Sequence, residues 1–453
     1  MTAPRYKTIP QVRQPLLFGS WSEFRHDRLG LLERVGRECG EIGSFRIGPV
    51  TIIVPNSASI LQTLLVDRAS KLQSEVFFKS VSPVMGKTAL PGIHGDYHLR
   101  MRRMLAPLFT PKRLLGYAQH MVSCTDDMLR PMQDGAEIDF VHMMHRLTRN
   151  IIAKSMFNMK GDEDESFFES IRVSTEYIAR LVANPVALPL SVPTGNNRRA
   201  RGAISILRRR ARELIEEAGN RDEEAGDLLS LLFRTRDEDG SGLTEEELID
   251  QSLTIYLAGH ETTANSLSWA WLFIARNPEI QARLQAEVDE VLNGRTPTPA
   301  DLPRLPYALQ VLKESLRMYT PSFLFGRAPL EDIEVEGYQF RKGQFIIISP
   351  HVIHHNPQYY PEPERFDPER FTPENEKKLP RCAYMPFGMG PHICIGQHFA
   401  LMEMHLVLTH MLQHLSVSLV PGQQVRPLPL ATLAPSPFTL KVTLRRPVLA
   451  LAS

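Results

Sequence analysis

Between about residues 57 and 320 apolar residues recur mostly at a helical period. Ile204, Leu207, Ala211, Leu214, Ile215 and Ala218 fall on one face of a 3.6-residue repeat. Leu253–Ser266 is also helical in pattern but carries Gly259 in its middle, which costs about 1 kcal/mol against Ala, and the β-branched pair Thr262 and Thr263. Three short regions switch to the β period. Ser44–Val54 folds back at Gly48-Pro49, residues 332–349 place β-branched and aromatic residues around Gly337 and Gly343, and Phe438, Leu440, Val442 and Leu444 alternate with polar neighbours. No internal repeat or long linker divides the chain. The pattern predicts a mainly α protein with small β-sheets, residues 1–453 forming a single domain whose β-rich part comes from about 40–55, 330–350 and 415–445. The runs 161–166 and 236–242 are predicted to be solvated loops.

Composition narrows the choice of function. Over 453 residues, 52 Lys and Arg face 51 Asp and Glu, giving a formal charge of +1, without the basic footprint of a nucleic-acid binder. The seven arginines between Arg198 and Arg212 are followed by Glu213, Glu216 and Glu217, as on a solvated amphipathic helix. Four cysteines are too few for a disulfide scaffold, and none has zinc-ligand spacing. The first twenty residues lack a signal-peptide core, and no stretch of about 18 apolar residues could span a bilayer. A cytoplasmic protein with no membrane anchor is expected.

The most informative segment is Pro386-Phe-Gly-Met-Gly-Pro-His-Ile-Cys-Ile-Gly396. Its glycines permit tight turns around Cys394, and the apolar run after it reads as a buried helix. Cys394 therefore precedes a helix N-terminus, which favours a thiolate, and a thiolate there is a nucleophile or a soft metal ligand. Phe387, Gly390, Cys394 and Gly396 fit F-x-x-G-x-x-x-C-x-G, and on this motif the chain resembles the cytochrome P450 family. The resemblance implies that family's fold, haem b as cofactor, Cys394 as the metal ligand on the proximal side, and Phe387 and Gly396 beside the sulfur. Where the family commonly has Arg two residues before the cysteine, this chain has His392, a hydrogen-bond donor without the permanent charge.

Other motifs extend the resemblance over about residues 40–445. Ala258-Gly-His-Glu-Thr-Thr263 matches the oxygen-binding groove of the family. This implies that Ala258 and Gly259 leave room for haem and oxygen, and that Glu261 and Thr262 form the acid–alcohol pair that manages protons. Glu314 and Arg317, with Arg370 from Pro-Glu-Arg-Phe371, match a structural ion network. His98, Arg102 and Arg327 match propionate-binding positions. Arg100, Arg103, Lys112 and Arg113 are candidates for steering an acidic electron donor.

His260-Glu-Thr-Thr-Ala264 lacks the second histidine of a zinc protease helix, Met85-Gly-Lys-Thr88 lacks the first glycine of a phosphate loop, and His351–His355 is not read as a metal site. The resemblance thus implies a monooxygenase inserting one atom of O2 into a medium-to-large apolar molecule such as a terpenoid, fatty acid or polyketide. Electrons would come from a ferredoxin and its reductase, or a flavodoxin, and the enzyme would be a monomer. A peroxide-driven peroxygenase, a non-catalytic haem sensor and a haem-free binding module are the alternatives. The pocket is expected to be lined from 77–90, 181–192, 322–325 and 432–438, with Lys79 or Lys87 available to a fatty-acid carboxylate.

Overall fold

The computed structural model describes residues 6–445 apart from 80, 160–164, 184–187 and 222–226. The acidic loop expected at 161–166 therefore lies largely outside the described residues, and Ser166 is already within the helix Glu165–Ala183. At the centre is a 32-residue helix, Glu245–Arg276. Its start is fixed by a capping box: Thr244 Oγ1 accepts from Glu247 N at 3.2 Å while the Glu247 carboxylate accepts from Thr244 N at 2.8 Å. Glu245, Glu246 and Glu247 in the first turn complement the helix dipole. From Leu248 to Leu257 and from Thr263 to Ile274 this helix is buried all round, as a helix enclosed by others must be. Those neighbours include Phe140–Phe157, Pro306–Met318 and Gln397–His414.

The larger sheet has five strands in the order β1 (Ile42–Ile47), β2 (Val50–Pro55), β8 (Phe345–Ile348), β5 (Phe325–Pro329), β3 (Leu72–Gln73). The β1–β2 hairpin turns at Gly48, whose φ is +56°. β2 pairs with β8 in parallel, and the other neighbours are antiparallel. Strands β6 (Ile333–Val335) and β7 (Tyr338–Phe340) form a hairpin of their own. The strands after residue 415 do not join this sheet. β9 (Leu415–Leu419) and β12 (Thr439–Leu444) pair with β4 (Glu137–Asp139), and Leu415, Val417, Leu440 and Val442 pack into the helical core. Alternation along a strand tells which face is buried, but not which strand it will pair with. β10 (Pro427–Pro429) and β11 (Leu433–Pro435) form a last hairpin, which Trp269 Nε1 pins to the long helix by donating to Leu433 O at 3.0 Å.

Candidate active site

The cysteine loop is shaped by two left-handed glycines, Gly388 at φ +73° and Gly390 at φ +71°. A Cβ at Gly390 would stand 1.9 Å from the Leu65 carbonyl oxygen, so the loop packs on the 63–67 turn only because that side chain is absent. Cys394 N donates to Phe387 O at 2.8 Å, closing the loop, and the helix begins at Gln397. Burial pushes the Cys394 thiol up, while the Gly396 N–H and the Arg102 charge pull it down. Arg102 Nη1 also donates to Ile393 O at 2.7 Å, tying the Gly95–Leu105 helix to the loop. Cys394 lines a cavity of about 450 Å³.

Ala258, Gly259 and Thr262 line that same cavity. Thr262 Oγ1 donates to Ala258 O at 2.6 Å, so the hydroxyl is held against its own helix. Glu261 is not among the residues lining the cavity. Its Oε1 accepts from Thr432 Oγ1 at 2.6 Å, and burial pushes the carboxyl up against that hydrogen bond. The wall at Leu90 is fixed from the long helix: the fully buried Asp250 accepts from Thr88 N at 3.1 Å, Thr88 Oγ1 at 2.9 Å and Arg208 Nη1 at 2.9 Å.

His98, Arg102, Arg327 and His392 gather at one part of the cavity. The rings of His98 and His392 stack with centroids 3.9 Å apart. Burial first, and then the neighbouring arginines, pull His98 down to about 4; burial, Arg327 and His98 pull His392 down to about 3. Both imidazoles are therefore neutral beside two guanidinium groups. Arg327 donates to Gly326 O at 2.8 Å and lies over the Phe325 ring, and burial lowers it to about 10. Among the described residues no carboxylate pairs with Arg102 or Arg327. Such a cluster lacks an anion, and a thiol and an apolar cavity adjoin it. A flat cofactor with a thiophilic metal at its centre and acidic groups at one edge fits this donor set, as haem does.

The family model described as Cytochrome P450 matches residues 10–442. The chain belongs to the cytochrome P450 family. It is 33% identical over 405 residues to the cyclooctatin synthase of Streptomyces melanosporofaciens, covering 88% of each chain. It is 34% identical over 387 residues to the cyclooctat-9-en-7-ol 5-monooxygenase of the same organism, covering 84% of each. The crystal structure of the cytochrome P450DA heme domain superposes with a TM-score of 0.89 at 25% identity, covering 98% of this chain and 99% of that one. The protein is accordingly a haem-dependent P450 monooxygenase that uses O2, an organic substrate and redox partners.

Several motifs read from the sequence prove to be supports of this P450 fold. Glu314 and Arg317 are fully buried, and Arg370 Nε approaches Glu314 Oε1 at 3.5 Å. His351 pairs with Glu33 at 2.7 Å, and His354 Nε2 accepts from Met385 N at 2.9 Å. Among the described residues no group of three or more His, Cys, Asp or Glu could hold a metal ion, and no helix is long and apolar enough to cross a membrane.

Other expectations need correction. Arg100 is bound by Asp237 and Glu247, each at 3.0 Å, and Arg103 by Asp237 and Glu238, so neither offers an uncompensated charge to an electron donor. The 236–242 segment is the exposed loop expected, with only the Asp237 side chain covered where it meets these arginines. Phe77, Phe78, Leu90, Ser322 and Phe325 line the cavity as expected, but Val81, Met85, Phe323 and Leu324 do not. Phe323 and Leu324 turn into the packing around β11 and the sheet. Nor do 432–438 line it, because the β10–β11 hairpin lies against the long helix; of the stretch 181–192, residues 184–187 fall outside the described ones and the described remainder is not in the wall. Sequence reasoning did not single out Thr432 as the partner of Glu261, which is 171 residues away.

Proposed function

We propose that this P450 carries haem b on Cys394 and oxidises an uncharged, largely apolar carbocyclic substrate of the terpenoid class. The observation that carries the reading is a single cavity shared by Cys394, the Ala258–Thr262 turn and the unpaired arginines. Haem ligated by a thiolate supplies O2 binding and O–O cleavage. Arg102, Arg327, His98 and His392 take the propionates, Phe387 and Gly396 shelter the sulfur, and Ala258 and Gly259 leave space for the ring. Thr262 orients a hydrogen bond in the pocket, and Glu261 exchanges protons with water.

The substrate class follows from what the wall lacks. Beyond the basic cluster no charged side chain among the described residues lines the cavity, and neither Lys79 nor Lys87 reaches it. Of its polar side chains, Gln251 is engaged with Leu90 N and Thr88 O, Thr254 with Asp250 O, Thr262 with Ala258 O, Ser266 with Thr262 O, and Ser74 with Pro91 O, which leaves the hydroxyls of Ser322 and Thr263, both neutral. Away from the basic cluster, which the propionates would occupy, no cation among the described residues waits for a carboxylate, which disfavours a free fatty acid. The name cyclooctat-9-en-7-ol 5-monooxygenase describes action on a cyclic alkenol, in keeping with this wall. Electrons then come from a ferredoxin and its reductase, to a monomeric single-domain enzyme in the cytoplasm, where its free cysteines stay reduced.

The test is the absorbance of the dithionite-reduced protein under carbon monoxide, followed by spin-shift titrations with cyclic terpenoids and fatty acids. A strongly red-shifted Soret band lost in Cys394→Ser, with terpenoids shifting the spin state and fatty acids not, is expected. A folded protein without a haem band would overturn the cofactor assignment, and a response to fatty acids alone the substrate class. Turnover with peroxide but none with O2 and reduced ferredoxin would make it a peroxygenase.

A further inference from the structure

The acid of the acid–alcohol pair is held by a hydrogen-bond chain that leads away from the cavity. Thr432 Oγ1 donates to Glu261 Oε1 at 2.6 Å, Asn265 Nδ2 donates to Thr432 Oγ1 at 2.9 Å, and Asn265 Oδ1 lies 3.2 Å from His145 Nε2. The directions follow from valence. An amide oxygen only accepts, so His145 carries its proton on Nε2; a hydroxyl has one proton, and Thr432, already accepting from Asn265, gives that proton to Glu261. Every donor in the chain therefore points toward the carboxyl group.

We propose that Thr432, backed by Asn265 and His145, is the positioning residue that fixes where the Glu261 carboxyl group points. The inference rests on the proton-handling role given to Glu261 above. Three features support it. Thr432 sits on a rigid mount: Leu433 N donates to Pro321 O at 2.9 Å and Leu433 O accepts from Trp269. Asn265 is buried one turn after Glu261 on the same helix, so it holds Thr432 in register with the carboxyl group. The third feature is that, among the described residues, no ion pair competes for Glu261.

The titratable groups nearest the chain are His145 from the Phe140–Phe157 helix and His260 from the long helix, rings crossing at 5.3 Å. Burial holds both neutral, with His260 at about 3; His142 and Asp139 act on His145, and Arg149 on His260. The Thr432 hydroxyl is thus the group that opposes the effect of burial on Glu261. A neutral chain holds a carboxyl less tightly than a salt bridge would, and it engages only Oε1.

The test uses the full-length haem-loaded enzyme and two readouts. Infrared difference titration follows the carbonyl stretch of protonated Glu261, assigned by its loss in Glu261→Gln. Product formed per electron consumed is measured against pH in parallel. Thr432→Val should raise the infrared midpoint by about one to two pH units and move the coupling profile to higher pH. Thr432→Ser should restore both. Asn265→Leu, a second variant should Thr432→Val fold poorly, should raise the midpoint by less. An unmoved midpoint in both Thr432→Val and Asn265→Leu overturns the inference. Full coupling in Glu261→Gln would instead remove the role of Glu261, while the infrared midpoint still decides whether Thr432 holds it.

Discussion

Arg317 and Glu314, one helical turn apart, are both fully buried and share two hydrogen bonds, Nε to Oε2 at 2.7 Å and Nη2 to Oε1 at 2.9 Å. The arginine also donates to His354 O and Pro363 O, and Glu314 Oε1 accepts from Asp367 N. The pair thereby stitches the Pro306–Met318 helix to the chain that leads into the cysteine loop. Arg317→Ala would leave the buried Glu314 carboxylate with only the 3.5 Å contact to Arg370 and the Asp367 N–H, at a cost approaching about 3–5 kcal/mol. Urea unfolding of matched haem-loaded samples should show that loss, with Arg317→Lys intermediate because it keeps the charge but not the fork.

Gly390→Ala places a methyl group 1.9 Å from the Leu65 carbonyl oxygen at a residue whose φ is +71°. Backbone cannot yield as a side-chain tip can, so the cysteine loop must shift. Expression with haem precursor should give a folded protein with a sharply lower Soret-to-protein absorbance ratio. An unchanged ratio would show that the 63–67 turn is free to move.

Arg327→Gln removes a cation that no carboxylate among the described residues balances. If that charge meets a propionate, losing a charge-assisted hydrogen bond should speed haem transfer to an acceptor globin by roughly 10- to 100-fold. Folding stability of the haem-free protein should stay the same or rise, since a desolvated charge has gone. A fall in haem-free stability would assign Arg327 a purely structural role.

Asp301 accepts from Arg295 Nη1 at 2.8 Å, and from Thr298 Oγ1 at 2.8 Å and Thr298 N at 2.9 Å. The Arg295 hydrogen bond first, then those from Thr298, hold its carboxyl well below the usual carboxylate range despite burial. A depressed folded value means stability that is present above the unfolded value, near 4, and lost as pH falls toward the folded one. The stability gap between wild type and Asp301→Asn should therefore be constant from about pH 8 to 5 and shrink below about pH 4. A gap independent of pH would deny the carboxylate that role.

Much of this was legible because it is local. Gly388, Gly390 and Cys394 share one loop, Ala258 to Thr263 one helix, and Glu314 and Arg317 one turn, so spacing alone fixed their relations. The β-hairpin at Gly48 and the helix starting at Gln397 followed from turn chemistry and period for the same reason. The failures share a cause. Arg100 and Arg103 look like free cations until Asp237, more than a hundred residues later, is folded against them.

By itself the sequence determined which residue types stand at which spacing: a cysteine among glycines before a helix, an acid and an alcohol in mid-helix, and the periods that make most of the chain helical. These are short-range matters, settled by backbone geometry and neighbouring side chains. Only the tertiary structure decided that Glu261 is held by Thr432 outside the cavity, that the 415–444 strands pack with the helices, and that the charge on the cavity wall is confined to the basic cluster of Arg102 and Arg327 among the described residues. Those depend on which surfaces meet after the chain has folded, and burial, not sequence distance, sets their energies.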